Sequence, residues 1–232
     1  MVSTVNNYPT PLFRDRADAG RRLAQSVQKL TLGEVVILAI PAGGVPVGAE
    51  LAKALEAPLD LLIARKVQFP WSTEAGFGAV VSDGTVYVGP YGATLPRSVV
   101  EAQVEKAQRL VQHRVKEFLG DRPPLDVAGK DVIVVDDGLA SGSTMLAAVQ
   151  SVRRRHPRKV IVAVPTASGA AVQLLKPHVD ELVALYVHAA HLPFAVASSY
   201  ENWHDLTDDE VKQCLAEAGQ RTDRAGSRPV PR

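Results

Sequence analysis

Short apolar runs alternate with amphipathic stretches along most of the chain. Val35 to Ile40, Leu59 to Ala64, Val132 to Val135, Val160 to Val164 and Glu181 to Val187 are aliphatic or β-branched runs of strand length. Runs with no polar alternation belong to strands covered on both faces. Between them, apolar residues recur every three or four positions. Leu23, Val27 and Leu30 do so within Phe13 to Leu30, a helix closed by Leu32-Gly33. Val100, Val104, Ala107, Val111, Val115 and Phe118 do so within Pro96 to Leu119. Further helices are predicted from the Gly43-Gly44 turn to about Leu55, from Thr144 to about His156 and from Ser168 to Leu175. This order predicts an α/β fold: an open parallel sheet of about five strands with flanking helices. Asp83-Gly84, inside GFGAVVSDGTVYVGP, predicts a small hairpin beside it. Thr207, followed by Asp208, Asp209 and Glu210, caps a final helix. A single domain over residues 1–219 is expected, its first ten residues a polar arm, with a mobile tail over residues 220–232 that lacks apolar periodicity.

The chemistry gathers in Lys130 to Val149, KDVIVVDDGLASGSTMLAAV. A buried strand ends in two carboxylates, Asp136 and Asp137, and a small-residue loop leads into a helix. The first-turn N–H groups of a helix have no internal partner and carry the positive end of its dipole. Gly138 and Gly142 permit close backbone approach, and Ser141, Ser143 and Thr144 add hydroxyl donors. The carboxylates repel a phosphate; they suit sugar hydroxyls or a divalent cation held with the ligand. A sugar phosphate satisfies both halves.

VIVVDDGLASGST resembles the phosphoribosyl-pyrophosphate (PRPP) binding motif of type I phosphoribosyltransferases. IPAGGVPVGAELAKAL, ARKVQFPWSTEAGFGAVVSDGTVYV and SSYENWHDLTDDEV are similar to a subgroup of these proteins with no assigned base. The resemblance implies transfer of the 5-phosphoribosyl group of PRPP to a nitrogen base, with release of pyrophosphate. It implies that Ala140, Ser141, Gly142, Ser143 and Thr144 cradle the 5′-phosphate, and that Asp136 and Asp137 hold the ribose hydroxyls. Ala42, Gly43 and Gly44 would meet pyrophosphate through backbone N–H groups. Related sequences carry Arg just before the two glycines, where this chain has Ala42. Arg65 and Lys66, at the end of a predicted strand, are the cations placed to assist. Mg²⁺ would arrive with PRPP, with no direct protein ligand unless Asp136 supplies one.

Hood elements are expected at about residues 67–90 and 190–215, the first in the place of the family's closing loop. Trp71 in that loop, and Tyr200 and Trp203 in the second segment, are candidates to cover or stack a base. Phe194, Tyr200 and Trp203 also fit a small satellite core. A PRPP-sensing regulator without transferase activity is the alternative function, and a sugar-phosphate or nucleotide enzyme of another chemistry is a third.

Composition narrows the partners. The formal charge is +1, so no bulk attraction to nucleic acid or membrane is expected. Arg153, Arg154, Arg155, His156, Arg158 and Lys159 form a basic cluster at a predicted helix end, where cations complement the dipole; RNA contact is the other reading. His188 and His191 have metal-pair spacing without a third ligand type nearby. One cysteine, Cys214, excludes an intramolecular disulfide and fits a cytoplasmic location. No apolar run reaches membrane-spanning length, and no signal peptide is evident. PRPP and a nitrogen base are the expected partners of a homodimer.

Overall fold

Six parallel strands form the central sheet of the computed structural model, which describes residues 2–4, 11–72, 75–190 and 194–226 (backbone alone for 2–4 and 219–226). In chain order these strands are β1 (Val2–Thr4), β2 (Val35–Ala39), β3 (Leu59–Leu61), β7 (Asp131–Val135), β8 (Lys159–Ser168) and β9 (Glu181–His188). Their spatial order is β1-β9-β8-β7-β2-β3. Five of them correspond to the apolar runs. The sixth, β1, pairs with β9 from within the arm, which carries no strand pattern.

The strands are apolar on both faces because both faces are covered. Ile37, Ile133 and Ile161 form one row across three neighbouring strands. Their face packs with Leu23, Val27, Val45 and Leu51 of α1 (Arg16–Val27) and α2 (Gly44–Leu55). Val36, Val132 and Val160 face the other way, with Met145, Leu146 and Val149 of α5 (Ser143–Arg153) and Ala171 of α6 (Gly169–Leu175).

The expected strand Leu59 to Ala64 is two strands. Leu62 N–H still donates to Ala39 O in β2, at 2.9 Å, whereas Ile63 O accepts from Ser82 N, also at 2.9 Å. The chain therefore changes sheets between them. It continues as β4 (Ala64–Gln68), which pairs antiparallel with β5 (Gly76–Val81), and β5 pairs with β6 (Val86–Val88). The predicted hairpin is thus part of a three-stranded sheet, turning at Gly84 with φ of +86°. After the short α3 (Pro90–Ala93), α4 (Arg97–Phe118) lies against β4 and β5.

The basic cluster is spent on structure. Arg153 pairs with Asp180 at 2.9 Å, Arg154 with Asp83 at 3.2 Å, and Arg158 with the buried Asp131, while Arg155 donates to Leu125 O. The last helix, α7 (Asp208–Gly226), extends past the boundary expected at residue 219. His191 lies outside the described residues. No helix among the described residues is long and apolar enough to cross a membrane.

Candidate functional site

Two loops leave adjacent strands at the same edge of the sheet. Ala39 of β2 stands opposite Val135 of β7, so Ile40–Gly44 and Asp136–Thr144 begin side by side. Ile40 N–H donates to Val135 O at 2.9 Å. The contact is closed by glycines. A Cβ on Gly44 would stand 2.7 Å from Val135 O, and one on Gly43 would stand 1.8 Å from the Asp137 Oδ2. The Pro41–Ala42 peptide is cis. Gly44 N–H is already taken by Ile40 O, at 3.0 Å. Among the described residues neither the Ala42 nor the Gly43 N–H makes a backbone hydrogen bond. Of the three residues expected to offer N–H groups, two therefore have them uncommitted.

The second loop is stitched to β8. Leu139 N–H donates to Thr166 O at 3.0 Å, and Ser168 N–H donates to Leu139 O at 2.8 Å. Ser168 Oγ donates to Ala140 O at 2.6 Å and caps α6 by accepting from Ala171 N at 3.1 Å. Gly142 adopts φ of +76°, the left-handed turn that admits the chain into α5. The first intrahelical bond is Leu146 N–H to Gly142 O, at 2.8 Å. The N–H groups of Ser143, Thr144 and Met145 therefore precede the helical ladder and crown its positive end. Ala140 and Ser141 are exposed, and Ser141 Oγ lies 3.4 Å from both the N and the Oγ of Ser143. Backbone donors, a helix terminus and side-chain hydroxyls in one bend are the chemistry that suits an anion.

The acidic pair is unequal. Asp137 N–H donates to Asp136 Oδ1 at 2.8 Å. The Asp137 Oδ2 accepts from Arg16 Nε at 2.8 Å, and both side chains are buried. Arg16 Nη1 donates to His204 O at 2.9 Å, and its guanidinium lies 3.9 Å from the centre of the Trp203 ring. Burial, then the neighbouring Asp137 charge, push the Asp136 carboxyl well above the usual carboxylate value. Asp137 is raised by burial too, against the opposing pull of Arg16.

The other expected site residues divide. Arg65 and Lys66 are not at the end of a parallel strand; they sit within β4, opposite Val80 and Ala79. Arg65 nevertheless shares a cavity of about 230 Å³ with Pro41, Ala42 and Arg114. Trp71 is 72% exposed and stacks on Phe69 with ring centres 5.2 Å apart. Tyr200 is buried, packs on Phe13 at 5.5 Å and donates its hydroxyl to Asp137 O at 2.6 Å. It therefore cannot stack a base, and burial raises its phenol, which keeps the donor in place. Trp203 presents a face to Arg16. His188 is held by Thr166 Oγ1 at 3.0 Å and stacks on Phe194, and burial lowers its pKa. Among the described residues no group of three or more His, Cys, Asp or Glu converges on one point.

Arg16, Thr166 and Ser168 escaped the sequence reading. Arg16 resembles any other charge of a helical first turn, and Thr166 and Ser168 lie beyond where the expected strand stops. Only the pairing of a charge with the first turn, where a cation is unfavourable, marks Arg16 as unusual.

An open parallel sheet with a glycine- and serine-rich loop, a helix N-terminus and an acidic pair at its carboxyl edge has the layout of ligand-binding α/β folds. Residues 14–197 match the model of the phosphoribosyl transferase domain, and the chain belongs to that family. It is 38% identical over 219 residues to a Mycobacterium tuberculosis protein provisionally named a phosphoribosyl transferase, covering 93% of this chain. It spans about half, 49%, of that relative's length. It is also similar to the crystal structure of TT1426 from Thermus thermophilus. That likeness has 37% identity and a TM-score of 0.74, and covers 88% of this chain and 98% of the other. An orotate phosphoribosyltransferase of Methanopyrus kandleri is 32% identical over 95 residues, 39% of this chain and 52% of its own.

Proposed function

We propose that the chain is a pentosyltransferase that moves the 5-phosphoribosyl group of PRPP to a nitrogen base and releases pyrophosphate. The observation that carries this reading is the adjacency of the Ala42–Gly44 loop and the Asp136–Thr144 loop, with the acidic pair between them. A ligand phosphorylated at both ends of a ribose needs that order: anion cradle, diol acceptor, anion loop.

In this assignment the N–H groups of Ser143, Thr144 and Met145, with the Ser141, Ser143 and Thr144 hydroxyls, bind the 5′-phosphate. Asp136 accepts from ribose hydroxyls. The Ala42 and Gly43 N–H groups take the departing pyrophosphate, whose charge grows as the glycosidic bond lengthens, and such preorganised donors act where charge develops. Arg65 reaches the same region through the cavity it shares with Ala42. The protein's work is to hold both reactants in line and exclude water. Trp71, exposed on the loop after β4, takes the part of the cover in this assignment, its exposure leaving it free to close. Asp136, the carboxylate of the pair that Arg16 does not hold, is the residue that would hold a Mg²⁺ arriving with PRPP, and the metal would supply charge neutralisation at the phosphates.

A regulator that binds PRPP without transferring it is favoured by one observation, Ala42 in the place of arginine. One screen separates the two: PRPP-dependent pyrophosphate release over purines, pyrimidines and small nitrogen heterocycles, with PRPP binding measured in parallel. Release with any base supports the transferase. Binding without release supports the regulator, and no binding removes both.

A further inference from the structure

We propose that Arg16 is a positioning residue for the acidic pair: it pins the Asp137 carboxylate against Gly43 and leaves Asp136 to meet the sugar. The inference rests on the PRPP reading for its ligand, while its geometry stands on the free protein.

Arg16 is a misfit as a helix residue. It opens α1, where the dipole disfavours a cation, yet it is only 7% exposed. Asp15 provides the cap, accepting from Asp18 N at 2.7 Å, so helix formation does not call for Arg16. A buried guanidinium has to be satisfied. Arg16 has three holds from two distant parts of the chain: Asp137, the His204 carbonyl and the face of Trp203.

The segment before Arg16 is itself clasped to the second of these parts. Leu12 and Phe13 N–H groups both donate to Ser199 O at 2.9 Å. Glu201 N–H donates to Phe13 O and Asn202 N–H to Arg14 O, each at 2.8 Å. The clasp converges on one residue: Arg16 takes the Asp137 carboxylate and Tyr200 takes its carbonyl. Well-packed apolar side chains of similar volume would tie two segments at least as firmly as a buried ion pair. A buried charge pair at the diol end of a phosphate site has a use that apolar packing lacks. It fixes one carboxylate as an ion with a set direction. The groups facing Asp137 are Arg16 from α1, Asp136 from its own strand end and the Tyr200 hydroxyl, while Gly43 contributes no charge.

Carboxyl ¹³C NMR on aspartate-labelled full chain tests this directly, with Asp137→Asn assigning the resonance. In Arg16→Met, Asp137 should take its proton at least about one pH unit higher than in wild type, since its compensating charge is gone. Arg16→Lys should return the titration toward wild type. By calorimetry with PRPP and Mg²⁺, Arg16→Met should bind about tenfold more weakly at neutral pH, or about 1.4 kcal/mol, and the acid limb of binding should move to higher pH. An unchanged Asp137 titration in a folded Arg16→Met chain overturns the inference. If Arg16→Met does not fold, Arg16→Gln, which keeps hydrogen-bond donors and drops the charge, decides on the same two outcomes. A wild type that binds no PRPP while the titration moves removes the PRPP reading and leaves Arg16 assigned. PRPP binding by wild type with an unmoved titration does the reverse.

Discussion

Gly43 and Asp137 touch so closely that residue 43 has room for a hydrogen and nothing larger: a Cβ there would come within 1.8 Å of the Asp137 Oδ2. A flexible carboxylate would swing aside, but this one is held by Arg16 at 2.8 Å. Gly43→Ala should therefore either break that ion pair or push the Pro41–Gly44 loop off the strand end. Overpacking of this kind costs roughly 1–3 kcal/mol. The expected result is a lower thermal midpoint and weaker PRPP binding together. A Gly43→Ala chain with wild-type values of both would show that the loop has slack.

Asp136→Asn should separate stability from binding. The folded chain holds a proton on Asp136 to higher pH than the unfolded chain does, because burial and Asp137 raise its pKa. The folded state thus binds more protons, and stability falls as pH rises from the usual carboxylate value through the raised one. A neutral amide removes that penalty, so Asp136→Asn should unfold at higher temperature at neutral pH. It should also bind PRPP less tightly, having lost charge-assisted hydrogen bonds of roughly 1.5–3 kcal/mol each. Thermal unfolding at pH 5 and pH 8 beside calorimetry would check both signs.

Thr207 and Glu210 form a reciprocal capping box at the start of α7. Thr207 N–H donates to Glu210 Oε2 at 2.8 Å, and Glu210 N–H donates to Thr207 Oγ1 at 3.3 Å. The Thr207 backbone bond, then its hydroxyl and His204, lower the Glu210 carboxyl to about 2. The stabilisation is present above the unfolded glutamate value and is lost as pH falls toward 2. Amide exchange in the first turn of α7 should accelerate over that window in wild type. In Glu210→Gln the first-turn amides should exchange without that pH step.

Ala42 and Arg65 line one cavity, and the proposed function gives Arg65 the part of the guanidinium that position 42 lacks. Arg65→Ala should lower PRPP-dependent pyrophosphate release by an amount comparable to a lost oxyanion donor, roughly 2–4 kcal/mol. Ala42→Arg in the Arg65→Ala background should restore much of the loss, with less change in PRPP affinity than in turnover. If Arg65→Ala is silent, pyrophosphate leaves by another route. Restoration in the double variant would locate the charge requirement in the cavity rather than in either backbone position.

The core strands and the two loops at their carboxyl edge were legible because local patterns specify them. β7 and its loop carry a buried run, two carboxylates and small residues in sequence, and each is a local signal. What was illegible depends on distant pairings. Leu59 to Ala64 is one apolar run, but Leu62 bonds to Ala39 and Ile63 to Ser82, so the run serves two sheets. Nothing in the run itself marks the change. Tyr200 has the composition of a stacking surface, yet its position under Phe13 and over Asp137 O follows from a clasp between segments nearly two hundred residues apart. Arg16 was unreadable for the same reason: its partner lies 121 residues on.

The clasp at Phe13 and Tyr200 joins the two ends of the fold across a long sequence separation. Contacts of such sequence separation form late, because chain closure must precede them. A ribosome-bound chain that has emerged only as far as α6 already contains every residue of the Ile40–Gly44 and Asp136–Thr144 loops. It has neither the Tyr200 hydroxyl nor the His204 carbonyl, so Asp137 and Arg16 are without two of their anchors. Asp137 and Arg16 therefore gain these two holds only once residues 199–204 have been made.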